Sequence, residues 1–246
     1  MEDKSPRRGN KTNEAISELT QFVDKRMKQT VRDIKKMERA GYQQIVSYLD
    51  LRAIVGSDVY IPPLRGHAVS PDTAVFLWHL LNVYRPKSIL DLGSGVSSAL
   101  FATFSKRMGG RCLSVDHLPK FVEETRVLVQ SWGTSEKWDI IQADINEQDG
   151  GLFYDLRKVK ATRRRFDFLF LDGPPKYVDP NVRGNLLPLF LPVLKKGCII
   201  VMDDYYRDGE NAAVKQWVDA GLVEILQINT VVEKQAAVMR LGSSQQ

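Results

Sequence analysis

Four apolar runs in this 246-residue chain end on aspartate: CLSVD at Asp116, WDIIQAD at Asp144, FDFLFLD at Asp172, and CIIVMDD at Asp203-Asp204. A fifth run, SILDL, carries Asp91 and leads directly into Gly93-Ser94-Gly95. Aspartate is a poor strand former, so its recurrence where apolar runs stop calls for a reason other than propensity. Carboxylates in such places can accept the hydroxyls of a sugar, take up a proton or hold a cation. Asp116 lies 21 residues after Gly95, placed to accept both hydroxyls of a ribose. Asp144 could take the amino group of an adenine. Gly93 and Gly95 let the backbone turn sharply and approach a ligand, ahead of a helix whose free N–H groups would face it. A dinucleotide fingerprint asks for a third glycine, and Ser98 stands in its place. The set points to an adenosine-containing ligand without deciding between nicotinamide and adenosyl cofactors.

The elements that would position these groups follow from hydrophobic period. Apolar residues at 16, 19, 23, 27, 31, 34 and 37 recur every three or four positions and predict a long amphipathic helix over about 13–40. Between 24 and 40 basic residues outnumber acidic ones by seven to three, so this helix packs on its own domain, pairs with a second copy or meets an anionic surface. Ser70-Pro71-Asp72 supplies an N-cap, a first-turn proline and an acid for a helix over 71–84. Strands are predicted at 88–92, 112–116, 138–144, 166–172 and 198–204, alternating with helices near 96–107, 119–131, 182–195 and 209–219. Two further strands, 222–228 and 236–241, predict an antiparallel edge. The whole reads as an α/β, doubly wound, seven-stranded, mostly parallel sheet with an N-terminal helical extension. The divisions expected are a disordered tail over 1–13, a helical extension with a cofactor-covering loop over 14–70, and a catalytic domain over 71–246. The polar segment 145–165, with Arg163-Arg164-Arg165, reads as an insertion with a solvated basic run.

Composition narrows the class. Hydrophobic content of 43% and charged content of 26% suit a soluble globular protein. A net charge of +5 is too weak to argue for nucleic acid. No run approaches the ~20 apolar residues of a membrane span, and the start has no apolar segment of the secretory kind. Cys112 and Cys198 sit in apolar runs and read as reduced core residues, which suggests a cytoplasmic setting.

The stretches SILDLGSGVSSA, LSVDH, QADI, FLFLDGPP and VMDD resemble, in order, the motifs of class I S-adenosylmethionine-dependent methyltransferases. The segment YQQIVSYLDLRAIVGSDVYIPPLRGHAVSPDTA is similar to the region ahead of the first motif in a bacterial group of small methyltransferases with an LDGPP signature, so the resemblance spans about 42–241. It implies S-adenosylmethionine as cofactor, held by Asp91, Gly93, Ser94, Gly95, Ser97 and Ser98 at the turn, by Asp116 and His117 at the ribose, by Asp144 near adenine and by Asp172. More distantly the pattern resembles catechol-type O-methyltransferases, in which an Asp after the fourth strand and an Asp-Asn pair after the fifth bind magnesium. Here the pair is Asp-Asp, and Lys176 stands four residues after Asp172 with two prolines between.

Transfer from a sulfonium is an in-line displacement, which needs alignment, exclusion of water and, at a hydroxyl, removal of a proton. Two routes are open: a carboxylate or His67 acts as base, or Asp172, Asp203 and Asp204 hold Mg²⁺. Lys176 and Arg183 could grip an acidic acceptor or the cofactor's carboxylate, and His79 reads as structural. The expected acceptor is a small polar molecule methylated at oxygen, with no nucleic-acid partner and dimerisation through the N-terminal helix as one arrangement. A nicotinamide-dependent oxidoreductase and a non-catalytic cofactor-binding scaffold are the alternatives.

Overall fold

The computed structural model describes residues 8–66, 68–148, 151–175, 177–178, 183 and 186–242. The chain divides into two compact units, Met1–Val46 and Ser47–Gln246. Helix α1, Arg8–Val55, begins in the first unit and ends in the second. It starts inside the tail expected to be disordered, whose residues 1–7 lie outside the described ones. It also runs through Gly41, where the sequence reading stopped it. A mid-helix glycine costs about 1 kcal/mol against alanine, and the apolar period resumes at Ile45 and Leu49. Within the first unit the apolar stripe is exposed, from Ile16 through Met37.

The second unit is built on a sheet of strands β1 (Ser88–Leu92), β2 (Arg111–Asp116), β3 (Trp138–Gln142), β6 (Phe166–Leu171), β7 (Leu194–Asp203), β8 (Val223–Asn229) and β9 (Ala236–Leu241). Their order is β3-β2-β1-β6-β7-β9-β8. The first five are parallel, and β9 is antiparallel to both of its neighbours. Side chains alternate between two apolar layers. Phe168, Phe170, Ile199 and Val201 join one with helices α2 (Pro71–Tyr84), α3 (Val96–Met108) and α4 (Pro119–Ser131). Leu169, Leu171, Ile200 and Met202 join the other with α6 (Leu186–Phe190) and α7 (Asp208–Asp219). Burial on both faces explains why these strands read as continuous apolar runs rather than alternating ones. Phe101 of α3 packs edge-on against Phe168 and Phe170, with centroids 6.0 and 5.7 Å away.

Two segments differ from their sequence reading. The polar insertion holds a hairpin, β4 (Ile145–Gln148) with β5 (Gly151–Tyr154), followed by a short helix α5 (Arg157–Ala161). Phe153, Tyr154, Leu156 and Val159 are buried, anchoring a segment that is otherwise largely polar. Among the described residues, the helix expected over 182–195 is α6 and a 3₁₀ turn over Leu191–Val193, because Pro192 has no N–H with which to continue it; residues 182, 184 and 185 lie outside the described ones. No helix among the described residues is long and apolar enough to cross a membrane.

Candidate active site

Strand register sets which groups meet at the carboxyl edge of the sheet. Leu92 pairs with Leu171, and Leu171 with Met202, so the glycine turn, Asp172 and Asp203 leave the sheet at one level. The amides of Asp172 and Gly173 both donate to the Leu92 carbonyl, at 2.9 and 2.6 Å. Gly93 takes φ +106° and packs against the next turn so closely that a Cβ would sit 3.1 Å from the Gly173 nitrogen. A Cβ on Gly173 would lie 2.4 Å from the Tyr154 hydroxyl. Glycine at both positions is what allows β1 and β6 to end side by side under Tyr154.

Asp91 pairs in register with Ser114 and is fully buried. Its carboxylate accepts from Ser98 at 2.6 Å, Ser114 at 2.9 Å and Ser97 at 3.4 Å. Trp138 Nε1 donates to Ser114 Oγ at 2.9 Å. Burial pushes the Asp91 carboxyl up to about 8, against the pull of the three hydroxyls. Asp91, Ser97 and Ser98, expected at the cofactor, thus face one another and brace the turn from beneath. Ser94 is half-buried and turns instead to Asp116, itself buried. Asp116 Oδ2 accepts from the Ser94 amide at 3.1 Å and hydroxyl at 2.7 Å, and Oδ1 from the Leu118 amide at 3.0 Å. Both oxygens are set to accept, which is the geometry a vicinal diol requires. His117 Nδ1 lies 3.5 Å from Asp116 Oδ1, and its ring stands 6.2 Å from that of Tyr154. Asp144 is exposed just beyond β3, and its carbonyl accepts from the Asp155 amide at 2.8 Å.

Asp172, Asp203 and Asp204 converge. One carboxylate oxygen from each lies within 4.8 Å of the others. Asp204 adopts φ +58°, a left-handed conformation that a short polar residue tolerates at a strand end. Arg183, buried from solvent, sits among them: Nη1 lies 3.1 Å from Asp204 Oδ2 and 3.4 Å from Glu210 Oε1, and Nη2 3.5 Å from Asp172 Oδ1. It also donates to the carbonyls of Asp172 and Asp203. Arg207 adds a second cation, 2.6 Å from Asp204 Oδ2. No N–H or hydroxyl among the described residues donates to either oxygen of Asp203 or to Oδ1 of Asp204, though all are buried, and Asp203 is close enough to Asp172 for the two carboxyls to share a proton. Burial, then the Asp172 and Asp204 charges, hold the Asp203 carboxyl well above the usual range. Burial raises Asp172 too, with Arg183 opposing it. Four carboxyls against two guanidiniums make a donor set of hard oxygens suited to a divalent cation, which would take the place of the protons that burial favours.

Beside the acids opens a cavity of about 480 Å³ lined by Leu64, Arg65, Gly66, Tyr206, Glu233 and Lys234. The loop ahead of α2 is fastened over it. Arg65 pairs with Glu233, Lys234 Nζ donates to the Gly66 and Ala68 carbonyls at 3.2 and 3.3 Å, and the Glu233 amide donates to Asp72 at 2.8 Å. Tyr206 stands two residues after Asp204, and the Tyr205 amide donates to the Gln235 carbonyl at 3.3 Å, next to Lys234, which brings the cavity's lining to the end of β7. His67 and Lys176 lie outside the described residues. His79 is exposed on α2 rather than packed in the core. Sequence reasoning missed Tyr154 and Glu210. No motif marks either, although Glu210 falls three residues after Arg207, a spacing that pairs charges on a helix.

A sheet in this order, with a glycine turn after its first strand and an acid after its second, has the architecture of the class I methyltransferases. Residues 90–205 match the family model described as a methyltransferase domain, a span that holds every aspartate from Asp91 to Asp204 discussed above. Just under half of the chain is thus similar to a methyltransferase domain, and its fold is that of the class I enzymes. Solved structures agree in fold. The methyltransferase PaMTH1 of Podospora anserina, bound to S-adenosylhomocysteine, aligns with a TM-score of 0.55 at 15% identity, over 71% of this chain and 80% of its own. An O-methyltransferase of Bacillus cereus, with the same ligand, gives 0.55 at 16%, over 81% and 90%. The O-methyltransferase TomG of Streptomyces achromogenes, with S-adenosylmethionine, gives 0.52 at 16%, over 73% and 83%. No curated protein matches the sequence.

Proposed function

We propose that the domain methylates a hydroxyl of a small polar molecule, with the acceptor seated in the cavity at Tyr206 and Lys234. The observation that carries this reading is the set of buried carboxylate oxygens on Asp203 and Asp204 that no N–H or hydroxyl among the described residues satisfies. Groups left in this state destabilise the fold, so they are retained for something that arrives. The donor set fits Mg²⁺, and Asp172, Asp203 and Asp204 would hold it. A bound cation of this kind lowers the pKa of an acceptor hydroxyl.

The chain's own residues supply the rest. Asp116 accepts the ribose hydroxyls, with Ser94 giving up its contacts to them. Gly93 and Gly95 bring the backbone against the methionine part, and Asp144 lies toward adenine. Arg183 keeps the acids together while solvent is kept out, so the acceptor oxygen meets the methyl in line. As the S–CH₃ bond breaks, its electron pair stays on sulfur to leave S-adenosylhomocysteine; the O–CH₃ bond forms, and the hydroxyl, acidified by the cation, would already have given its proton to water. A second reading needs no cation: Asp203, with its raised pKa, takes that proton as general base. Cys112 and Cys198 are buried and unpaired, which supports a reducing, cytoplasmic setting.

The test is methyl transfer from labelled S-adenosylmethionine to a panel of polyhydroxylated acceptors, with Mg²⁺ and with a chelator. Transfer to oxygen that stops with the chelator supports the cation reading, and transfer that persists but is lost in Asp203→Asn supports the base. Transfer only to nitrogen or carbon acceptors would overturn the proposal.

A further inference from the structure

Within the first unit, Ile16, Val23, Met27, Ile34 and Met37 of α1 are each 44–73% exposed along one stripe. A water-facing apolar stripe of this length needs a partner, since helical stability in water comes mainly from burying such a face. Lipid is one candidate, but the charges disfavour it. Lys25, Lys28, Arg32 and Lys36 lie opposite the stripe, as an interfacial helix also has them, while Arg26, Asp24, Asp33 and Glu38 border it. Three acids against one base beside the stripe would meet anionic headgroups first, which disfavours lipid.

We propose that this face pairs with a second copy of the chain as an antiparallel coiled coil. With Met27 and Ile34 at a positions and Val23 and Met37 at d, the flanking g positions are Arg26 and Asp33. In an antiparallel pair g faces g, so Arg26 meets the partner's Asp33, and two-fold symmetry makes the contact twice. The core layers of the same register set large against small: Ile16 on the partner's Gly41, Met37 on the partner's Thr20, Met27 on the partner's Thr30, with Val23 on the partner's Ile34. A Cβ added to Gly41 would meet nothing within the chain, so that position has room for a partner side chain. A parallel pair would instead put Asp33 beside the partner's Glu38. The only like-charged flank in the antiparallel register, Asp24 with the partner's Glu38, is offset along the axis by about 7 Å. The paired stretch from Ile16 to Gly41 would extend about 39 Å.

Sedimentation equilibrium of the full chain tests this. A dimer is expected at micromolar concentration, becoming monomer in Val23→Asp/Ile34→Asp with S-adenosylhomocysteine affinity unchanged. Arg26→Glu and Asp33→Arg should each weaken the dimer about 10-fold, and the double exchange should restore it. Orientation is read by oxidative crosslinking, which the buried native cysteines do not disturb. Thr20→Cys and Met37→Cys should crosslink when mixed and not alone, because like positions lie about 25 Å apart in the antiparallel pair. A wild-type monomer, a dimer indifferent to these substitutions or self-crosslinking of either variant would overturn the proposal. So would a monomer that floats with phosphatidylserine vesicles.

Discussion

Asp203→Asn separates a working carboxylate from a strand cap, because the two roles predict opposite changes in stability. The Asp203 side chain is buried, no N–H or hydroxyl donates to either oxygen, and one oxygen lies within 4.8 Å of oxygens from Asp172 and Asp204. At an effective dielectric of ~20, two unit charges at that separation repel by about 3 kcal/mol. Proton uptake relieves part of this, so the neutral isostere should gain about 1–3 kcal/mol, raising Tm by roughly 2–10 °C at pH 8. The new amide can also donate to its acidic neighbours. Added Mg²⁺ should raise the wild-type Tm, by about 2.7 kcal/mol of stability at 100 times Kd, and leave the variant nearly unmoved. Turnover should fall at least ~100-fold. Thermal unfolding with and without Mg²⁺, beside a methyl-transfer assay, reads all of this. A variant that is less stable than wild type without the cation, yet turns over normally, would make Asp203 a structural cap and refute the reasoning.

Arg183→Met leaves buried carboxylates uncompensated and should cost about 3–5 kcal/mol, lowering Tm by roughly 6–20 °C. The Asp91 carboxyl sits at about 8 in the fold against its ordinary 3.8, so the native state keeps a proton that the unfolded chain releases. Stability should therefore fall as pH rises from about 4 to 8, and Tm scans of Asp91→Asn should show a shallower fall across that window. Gly173→Ala forces a Cβ to 2.4 Å from the Tyr154 hydroxyl, with an expected loss of about 1–3 kcal/mol. A double-mutant cycle in urea should show that loss shrinking in a Tyr154→Phe background.

The strand ends were the most legible part of the sequence. Asp116, Asp172, Asp203 and Asp204 each interrupt an apolar run, and register brings the last three together because β6 and β7 stop at the same level. Orientation was not legible. Asp91 belongs to the glycine-turn motif, but pairing with Ser114 points it into the serine network under α3, a fact of register with no local signal. Arg183 reads as a grip for an acidic ligand or as a surface charge, and only the approach of β6, β7 and α7 makes it the buried counter-ion of the chain's own acids. Tyr154 was hidden for a related reason. Its hairpin is mostly polar, so period and composition gave a loop, while two buried aromatics fix it.

The most direct test of the cofactor assignment is calorimetric titration with S-adenosylhomocysteine and, separately, NADH. Micromolar binding of S-adenosylhomocysteine is predicted, weakened at least ~100-fold in Asp116→Ala through loss of two bonds to a charged acceptor. NADH should not bind. Binding of NADH alone, or S-adenosylhomocysteine affinity indifferent to Asp116, would contradict the account.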